Sequence, residues 1–397
     1  MVRWLTQTAA VTALNLRTIP ARLSSSAVAI VGIAGVVIVL VSVLSIAAGF
    51  SAAMRQSGSP TRAIVMRSGA DSEMTSGLGG SQVDIIKQAP GIRREGDAPL
   101  ASAELYVIID LPKKSTPDSS SNVPMRGIEP AGMQVREDVS IVAGRMLQFG
   151  TNEVIVGQAA QRQFMGLNLD TDIKSGQNVW RVVGVFEADG GVAETEIWAD
   201  ARTLQGVYRR GNSYQSVLVR LDSSESLAPF RDWLGTNPQL NVQVTRESDY
   251  YADKSRALTG LIQGIGVSIA GLMGLGAVFG AILTMYTAVA TRSREIATLR
   301  ALGFNTFSVV VSVLTEAMAL GAIGGIIGGL AAYAAFNGYQ TSTMNFQTFS
   351  QVAFAFRVTP QLLMWGLIYA LLMGLVGGLL PAIRAARLPI PSALREL

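Results

Sequence analysis

The 397-residue chain contains no cysteine and no histidine, and only 15% of it is Asp, Glu, Lys or Arg. Without cysteine there is no disulfide and no thiol nucleophile. Without either residue, zinc sites built on them are excluded, and the commonest general base near neutral pH is missing. Catalysis would fall to Asp, Glu, Lys, Ser or Tyr, and no set of these has the arrangement of a catalytic site. No enzymatic activity and no metal site are therefore expected. No Gly-x-x-x-x-Gly-Lys-Ser/Thr sequence occurs either, nor any Gly-Lys pair, so the chain lacks that phosphate-binding loop. The net charge of +4 is mild and gives no sign of nucleic-acid binding.

Soluble domains carry about 25% charged residues. The deficit here is concentrated in four stretches. Leu23 to Met54 has no charge, nor has Ala257 to Thr291; Phe304 to Phe336 is interrupted only by Glu316, and Val358 to Ile383 is uncharged. About 20 apolar residues suffice for a helix to cross the hydrocarbon core, so four transmembrane helices are expected, at 25–52, 255–291, 304–336 and 358–383. The first run is too long for the core of a signal peptide and is read as an uncleaved anchor.

Arginine placement orients them. Arg3, Arg17 and Arg22 precede the first span, Arg292, Arg294 and Arg300 lie between the second and third, and Arg384, Arg387 and Arg395 follow the fourth. Both termini and the 292–303 connection are thus expected on the cytoplasmic side. A domain at 53–254 and a loop at 337–357 fall outside. Residues 51–256 hold 22 Lys+Arg against 25 Asp+Glu, the balance of a soluble module. Trp4, Leu5, Ala9, Leu14, Leu16 and Ile19 suggest an amphipathic cytoplasmic helix within 1–24, and 384–397 forms a cytoplasmic tail.

The external segment mixes strand and helix signals and reads as α+β. Strands are expected at Ala63–Met66, Leu105–Ile109, Glu153–Val156, Val179–Phe186 and Ser216–Leu221, and helices at Gln82–Gln88, Gln158–Met165 and Leu227–Leu234. Pro112 to Asn122 reads as an exposed loop. The acidic pairs Glu137/Asp138 and Glu194/Glu196 read as solvated. Tyr250 to Arg256 would form a stalk into the second span if helical.

Glycine is abundant in the later spans. Gly321, Gly325 and Gly329 recur every four residues, Gly324 and Gly328 form a second row, and Gly374 and Gly378 follow in the fourth span. Such rows allow close helix packing in lipid. Glu316, the one ionisable residue inside a span, is costly there. It reads as a proton or substrate site or as a structural hydrogen bond to a neighbouring helix. With no second charge within any span, the structural reading is preferred.

Between the second and third spans the chain reads TRSREIATLRALG (291–303). Arg292, Glu295 and Leu299 share a helical face, and Leu302-Gly303 forms a stop signal. A membrane-surface anchor and a docking element for a soluble partner both fit. This segment resembles the one that precedes the third span in MacB/FtsX-type ABC-transporter permeases. NLRTIPARLSSSAVAIVGIAGVVIV (15–39) is similar to the family's N-terminal helix and first span. MRGIEP (125–130), VAGR (142–145), NEVIVG (152–157) and WRVVGV (180–185) resemble pieces of its periplasmic domain. Glu316 matches a Glu near the start of its third span, and PAIRAAR (381–387) and PSALR (391–395) resemble its tail.

The resemblance implies a multi-pass α-helical membrane protein with four transmembrane helices and a large α+β periplasmic domain inserted between helices one and two, in a bacterial inner membrane. It implies a coupling helix whose ATPase-docking residues are Arg292, Arg294, Glu295, Ile296, Leu299, Arg300, Leu302 and Gly303. Implied partners are two copies of an ABC ATPase carrying Mg-ATP, a second permease chain (a homodimer or two related chains), and a periplasmic adaptor with an outer-membrane duct or another periplasmic partner. The chain itself would bind no cofactor. Its function would be export or efflux by mechanotransmission; the alternatives are an FtsX-like signal transmitter acting on a cell-wall hydrolase and a Lol-like lipoprotein-releasing permease.

Overall fold

The computed structural model describes residues 8, 12, 23–175, 178–345 and 350–389. The helix expected within 1–24, up to Arg22, and the last residues of the tail, including Pro391 to Arg395, lie outside the described residues. Two compact units emerge. One comprises residues 1–49, 259–339 and 356–397; the other comprises 50–258 and 340–355.

The first unit is helical. Among the described residues, four helices are long and apolar enough to cross a membrane: Leu23–Gln56, Glu247–Ala290, Thr306–Phe336 and Pro360–Arg387. Their starts follow local chemistry. The Asn305 side chain accepts from the Phe307 N–H at 3.1 Å and caps the third. Thr359 caps the fourth by accepting from the Leu362 N–H at 3.3 Å, and Pro360 occupies the first turn, where a missing N–H costs nothing.

The two glycine rows of the third helix serve two neighbours. A Cβ at Gly321 would stand 2.7 Å from the Ala370 oxygen, and one at Gly325 2.7 Å from the Ala370 Cβ, so this row faces the fourth helix. A Cβ at Gly324 would meet the Ile30 oxygen at 2.9 Å, and one at Gly328 the Ala34 oxygen at 2.6 Å, so that row faces the first. From the other side, Gly374 and Gly378 approach Ala317 as closely. Gly329 is looser, its nearest neighbour being Leu363 Cδ2 at 3.4 Å. Packing and close backbone approach thus hold three helices together. Glycines 260, 264, 271, 276 and 280 of the second long helix have open space instead.

The second unit is built on a ten-stranded mixed sheet. Its order is Val242–Arg246, Arg62–Arg67, Ser216–Arg220, Ala101–Lys113, Thr116–Ile128, Ile197–Asp200, Glu153–Gly157, Asn178–Glu187 and Ser140–Gly144, with Asp172–Ser175 on Asn178–Glu187. All five expected strands are present, and so are the three helices, at Gly80–Lys87, Gln158–Gln163 and Leu227–Thr236. Strand alternation divides the central residues between two faces. Ala101, Ala103, Leu105, Val107, Met125, Ile197 and Val217 enter apolar clusters on one face. Glu104, Tyr106, Arg126 and Trp198 point to the other, with Tyr106 and Trp198 both in register with Arg126.

Two segments differ from the sequence reading. Residues 112–122 are a hairpin arm, not a loop, because Asp110 to Pro112 pair antiparallel with Ser120 to Asn122. Its outer strand is exposed, which explains the polar composition. Residues 340–355 form a second hairpin, Gln340–Asn345 against Ser350–Ala355, which belongs to the sheet-bearing unit. Lys113 Nζ donates to Ser342 Oγ and Gln351 Oε1, each at 3.3 Å, and Phe354 meets Phe50 edge-on.

Candidate functional site

The connection between the second and third long helices is a nine-residue helix, Ser293–Ala301. Alone it would be too short to persist in water, so its neighbours must hold it. Gly303 terminates it at φ +92°, a conformation open to glycine. The Gly303 N–H donates to the Arg300 oxygen and the Phe304 N–H to the Leu299 oxygen, both at 3.1 Å, which satisfies the last carbonyls.

One side of this helix is sunk in the bundle. Ile296 joins an apolar cluster with Met285, Val289, Val309, Val313 and Ala385, and Ala297 is buried. The other side is open: Arg294, Glu295, Thr298 and Leu302 are exposed, and Leu302 keeps 73% of its surface. Leu299 and Arg300 are half-buried, and the Arg300 guanidinium donates to the Leu388 oxygen. Of the residues expected to dock a partner, Arg294, Glu295, Leu302 and Gly303 face outward, while Ile296 and Arg292 do not. Arg292 immediately precedes the helix and is 5% exposed.

Arg292 meets Glu316. Arg292 Nη1 donates to Glu316 Oε2 at 2.9 Å, with both side chains buried. Arg292 Nε lies 3.5 Å from Glu295 Oε2. The carboxylate that looked isolated within its span therefore has a cationic partner from the connecting segment. Sequence spacing does not reveal this pair, because 24 residues and a chain reversal separate its members. A cavity of about 20 Å³ lies beside them, walled by Met285, Val289, Ile296 and Val313 among others; it has room for about one water.

The sheet-bearing unit holds a second buried charge cluster, which the sequence reading missed. Arg126 donates from Nε and Nη2 to Glu196 at 2.7 and 2.8 Å, from Nη1 and Nη2 to Glu73 at 2.8 and 3.0 Å, and from Nη1 to Glu104 at 2.7 Å. Arg136 forks onto Glu104 at 2.6 and 2.8 Å. Arg62 joins Asp138 and Glu247. Burial pushes the Glu104 carboxyl up, but the Arg136 and Arg126 guanidiniums outweigh it and hold the pKa down at about 2. Glu73 is lowered in the same way, against burial, by Arg126, and Asp138, against burial, by Arg62.

Glu194 and Glu196 are thus not solvated. Glu196 accepts from Trp198 Nε1 at 2.7 Å as well as from Arg126, and Glu194 accepts from the Ala188 and Gly190 N–H groups at 3.0 and 2.7 Å. Their two-residue spacing hides this: Glu194 sits in a tight turn and Glu196 enters the charged face of the sheet. Asp138 is likewise drawn inward by Arg62, whereas Glu137 is exposed and pairs with Arg220. The one advance signal was the MRGIEP motif, whose arginine organises the cluster.

Two family models match the chain. MacB-like periplasmic core domain matches residues 26–236, more than half of its length, and FtsX-like permease C-terminal matches 267–390. No curated protein matches. Among solved structures, the periplasmic region of MacB from Actinobacillus actinomycetemcomitans aligns at 14% identity and TM-score 0.38, covering 49% of this chain and 92% of that one. The extracellular domain of the noncanonic ABC-type transporter YknZ from Gram-positive bacteria aligns at 16% identity and TM-score 0.34, covering 46% and 99%.

Proposed function

Because the chain belongs to the MacB/FtsX-type family of ABC-transporter permeases, we propose that it is the membrane subunit of such a transporter and transmits the work of a separate ATPase to its external domain. In this reading the four long helices span a bacterial cytoplasmic membrane, with both termini and the helix Ser293–Ala301 inside and the sheet-bearing domain outside. A second permease chain pairs with this one, and each takes one ATPase subunit, which holds the Mg-ATP. Closure of the two ATPases on nucleotide moves the Ser293–Ala301 helices, and the long helices carry that motion outward. Cargo is moved by the external domains, with an adaptor and outer-membrane duct as partners in export.

The observation that carries this reading is the two-sided character of the connecting helix. Ile296 and Ala297 are locked into the bundle while Arg294, Glu295, Thr298 and Leu302 face outward. An exposed leucine and charges of both signs on one outward side match the composition of a protein contact with an apolar centre and polar rim.

Co-expression of the tagged chain with candidate ABC ATPases should recover a stoichiometric pair, which Arg294→Glu, Glu295→Arg or Leu302→Asp disrupts. Recovery of the pair undiminished in all three variants would overturn the docking assignment. Cross-linking of the external domain in membranes would then separate two roles. Capture of an adaptor fits export, and capture of a cell-wall hydrolase fits signal transmission.

A further inference from the structure

The helix Ser293–Ala301 hangs between two non-helical joints, Thr291–Arg292 on one side and Leu302–Asn305 on the other, the second containing Gly303 in a left-handed conformation. Joints of this kind let a short helix swivel. Its apolar anchor, Ile296 against Met285, Val289, Val309 and Val313, resists withdrawal but not rotation, because apolar contact is non-directional. A directional restraint is needed if displacement of the outer face is to move the third long helix instead of turning the short one in place.

Arg292 supplies it. Its guanidinium, a planar fork with fixed donor directions, lies between Glu316 in the third long helix at 2.9 Å and Glu295 in the first turn of the short helix at 3.5 Å. Glu295 is 63% exposed and belongs to the outward face, while Glu316 is 6% exposed inside the bundle. One guanidinium therefore links a surface carboxylate to a buried one through the joint. Burying the pair carries a desolvation cost that an apolar substitute would avoid. What the pair adds is geometry.

We propose that Arg292 and Glu316 are positioning residues that set the angle of the docking helix on the third long helix, so that the connection acts as a lever and not as a hinge. This rests on the docking role assigned to Ser293–Ala301, but its test does not require the ATPase. A cation on a partner that engages Glu295 would compete with Arg292 for that carboxylate, so docking itself would be felt at Glu316.

The absence of cysteine makes the measurement direct, since introduced thiols are the only labelling sites. Spin labels on Thr298→Cys and Ile326→Cys, in the full chain in lipid nanodiscs, report the distance between docking helix and third long helix. A control pair on Phe307→Cys and Leu330→Cys lies within that one helix. With the labelled chain diluted in an excess of unlabelled chain, so that a permease pair carries one labelled copy, the parent chain should give a single narrow distance for each label pair. Glu316→Gln removes the buried negative charge from beside the arginine and is expected to lose the narrow Thr298–Ile326 distance.

The decisive variant is Arg292→Leu with Glu316→Leu, which removes both charges without leaving either buried alone and so should stay folded. It is expected to keep the narrow control distance and lose the narrow Thr298–Ile326 one. Arg292→Lys, which keeps the charge but not the fork, should also lose it. A narrow, unshifted Thr298–Ile326 distance in the double-leucine variant would overturn the proposal, as would broadening of the control pair to the same extent. Failure of the parent chain to recover any ATPase would sink the docking role and leave these distances unaffected.

Discussion

The glycine rows allow a test in which most uncertainties cancel. Consider Gly328→Ala and Gly264→Ala, each adding one methyl group to the interior of a long helix. Both substitutions gain the same advantage in helix propensity, about 1 kcal/mol, so their difference reports contact alone. At Gly328 the new Cβ would stand 2.6 Å from the Ala34 oxygen and 3.0 Å from both Ala34 Cα and Val37 Cβ. Two of these are backbone atoms, so no side chain can turn aside, and the first and third helices must part by roughly 0.5–1 Å, which forfeits a quarter to a half of each contact along the seam. At Gly264 nothing lies within 4 Å. Overpacking of this kind costs about 1–3 kcal/mol. Gly328→Ala should therefore unfold below Gly264→Ala by several degrees, at about 2–4 °C per kcal/mol for a unit of this size. Helical circular dichroism of the detergent-solubilised protein during heating, at one scan rate for all variants, measures this. Gly374→Ala, whose Cβ would meet the Ala317 oxygen at 2.6 Å, should follow Gly328, and Gly276→Ala, in open space, should follow Gly264. Equal midpoints for the two classes would refute the assignment of these glycines to helix seams.

Two further predictions concern the sheet-bearing unit. Arg126→Met leaves Glu73, Glu104 and Glu196 buried around an apolar side chain and should cost at least about 3–5 kcal/mol; limited proteolysis of the full chain should show this domain opening first, and Arg126→Lys should fail to restore it, because an ammonium cannot fork onto two carboxylates. On acidification, the depressed carboxylates contribute stability that is complete above their unfolded value near 4.5 and drains away as pH falls toward the folded value. For Glu104, held at about 2, this amounts to about 3 kcal/mol lost between roughly pH 5 and 2. Glu73 and Asp138 act in the same direction, and Glu247, whose carboxyl burial pushes up, acts in the opposite one. An unfolding midpoint that stays level from pH 6 to 3 would contradict it.

Much of this architecture is local and was therefore visible in the chain. A helix long enough to cross lipid is a matter of run length, so four apolar stretches, one of them holding Glu316, sufficed to place Leu23–Gln56, Glu247–Ala290, Thr306–Phe336 and Pro360–Arg387 to within a few residues, except that the second begins earlier, at Glu247. Strands such as Glu153–Gly157 and Ser216–Arg220 announced themselves by β-branched runs. Strands Ile197–Asp200 and Asp172–Ser175 did not. The first is recruited by parallel pairing with Met125 to Ile128, some seventy residues away, and no feature of four residues encodes that.

The candidate site divides along the same line. Sequence by itself determined that the chain has a basic elbow ending at Gly303, rows of glycine spaced for close packing, and one carboxylate within an apolar run, since composition and spacing are one-dimensional properties. Only the tertiary structure decided which charges meet. Arg292 turns inward to Glu316 and leaves Arg294, Glu295 and Leu302 outside; Glu194 and Glu196, ordinary surface acids by their spacing, become a turn cap and a buried partner of Arg126. The physical reason is that a charge leaves water only when several partners converge on it, and such convergence is a property of three-dimensional packing.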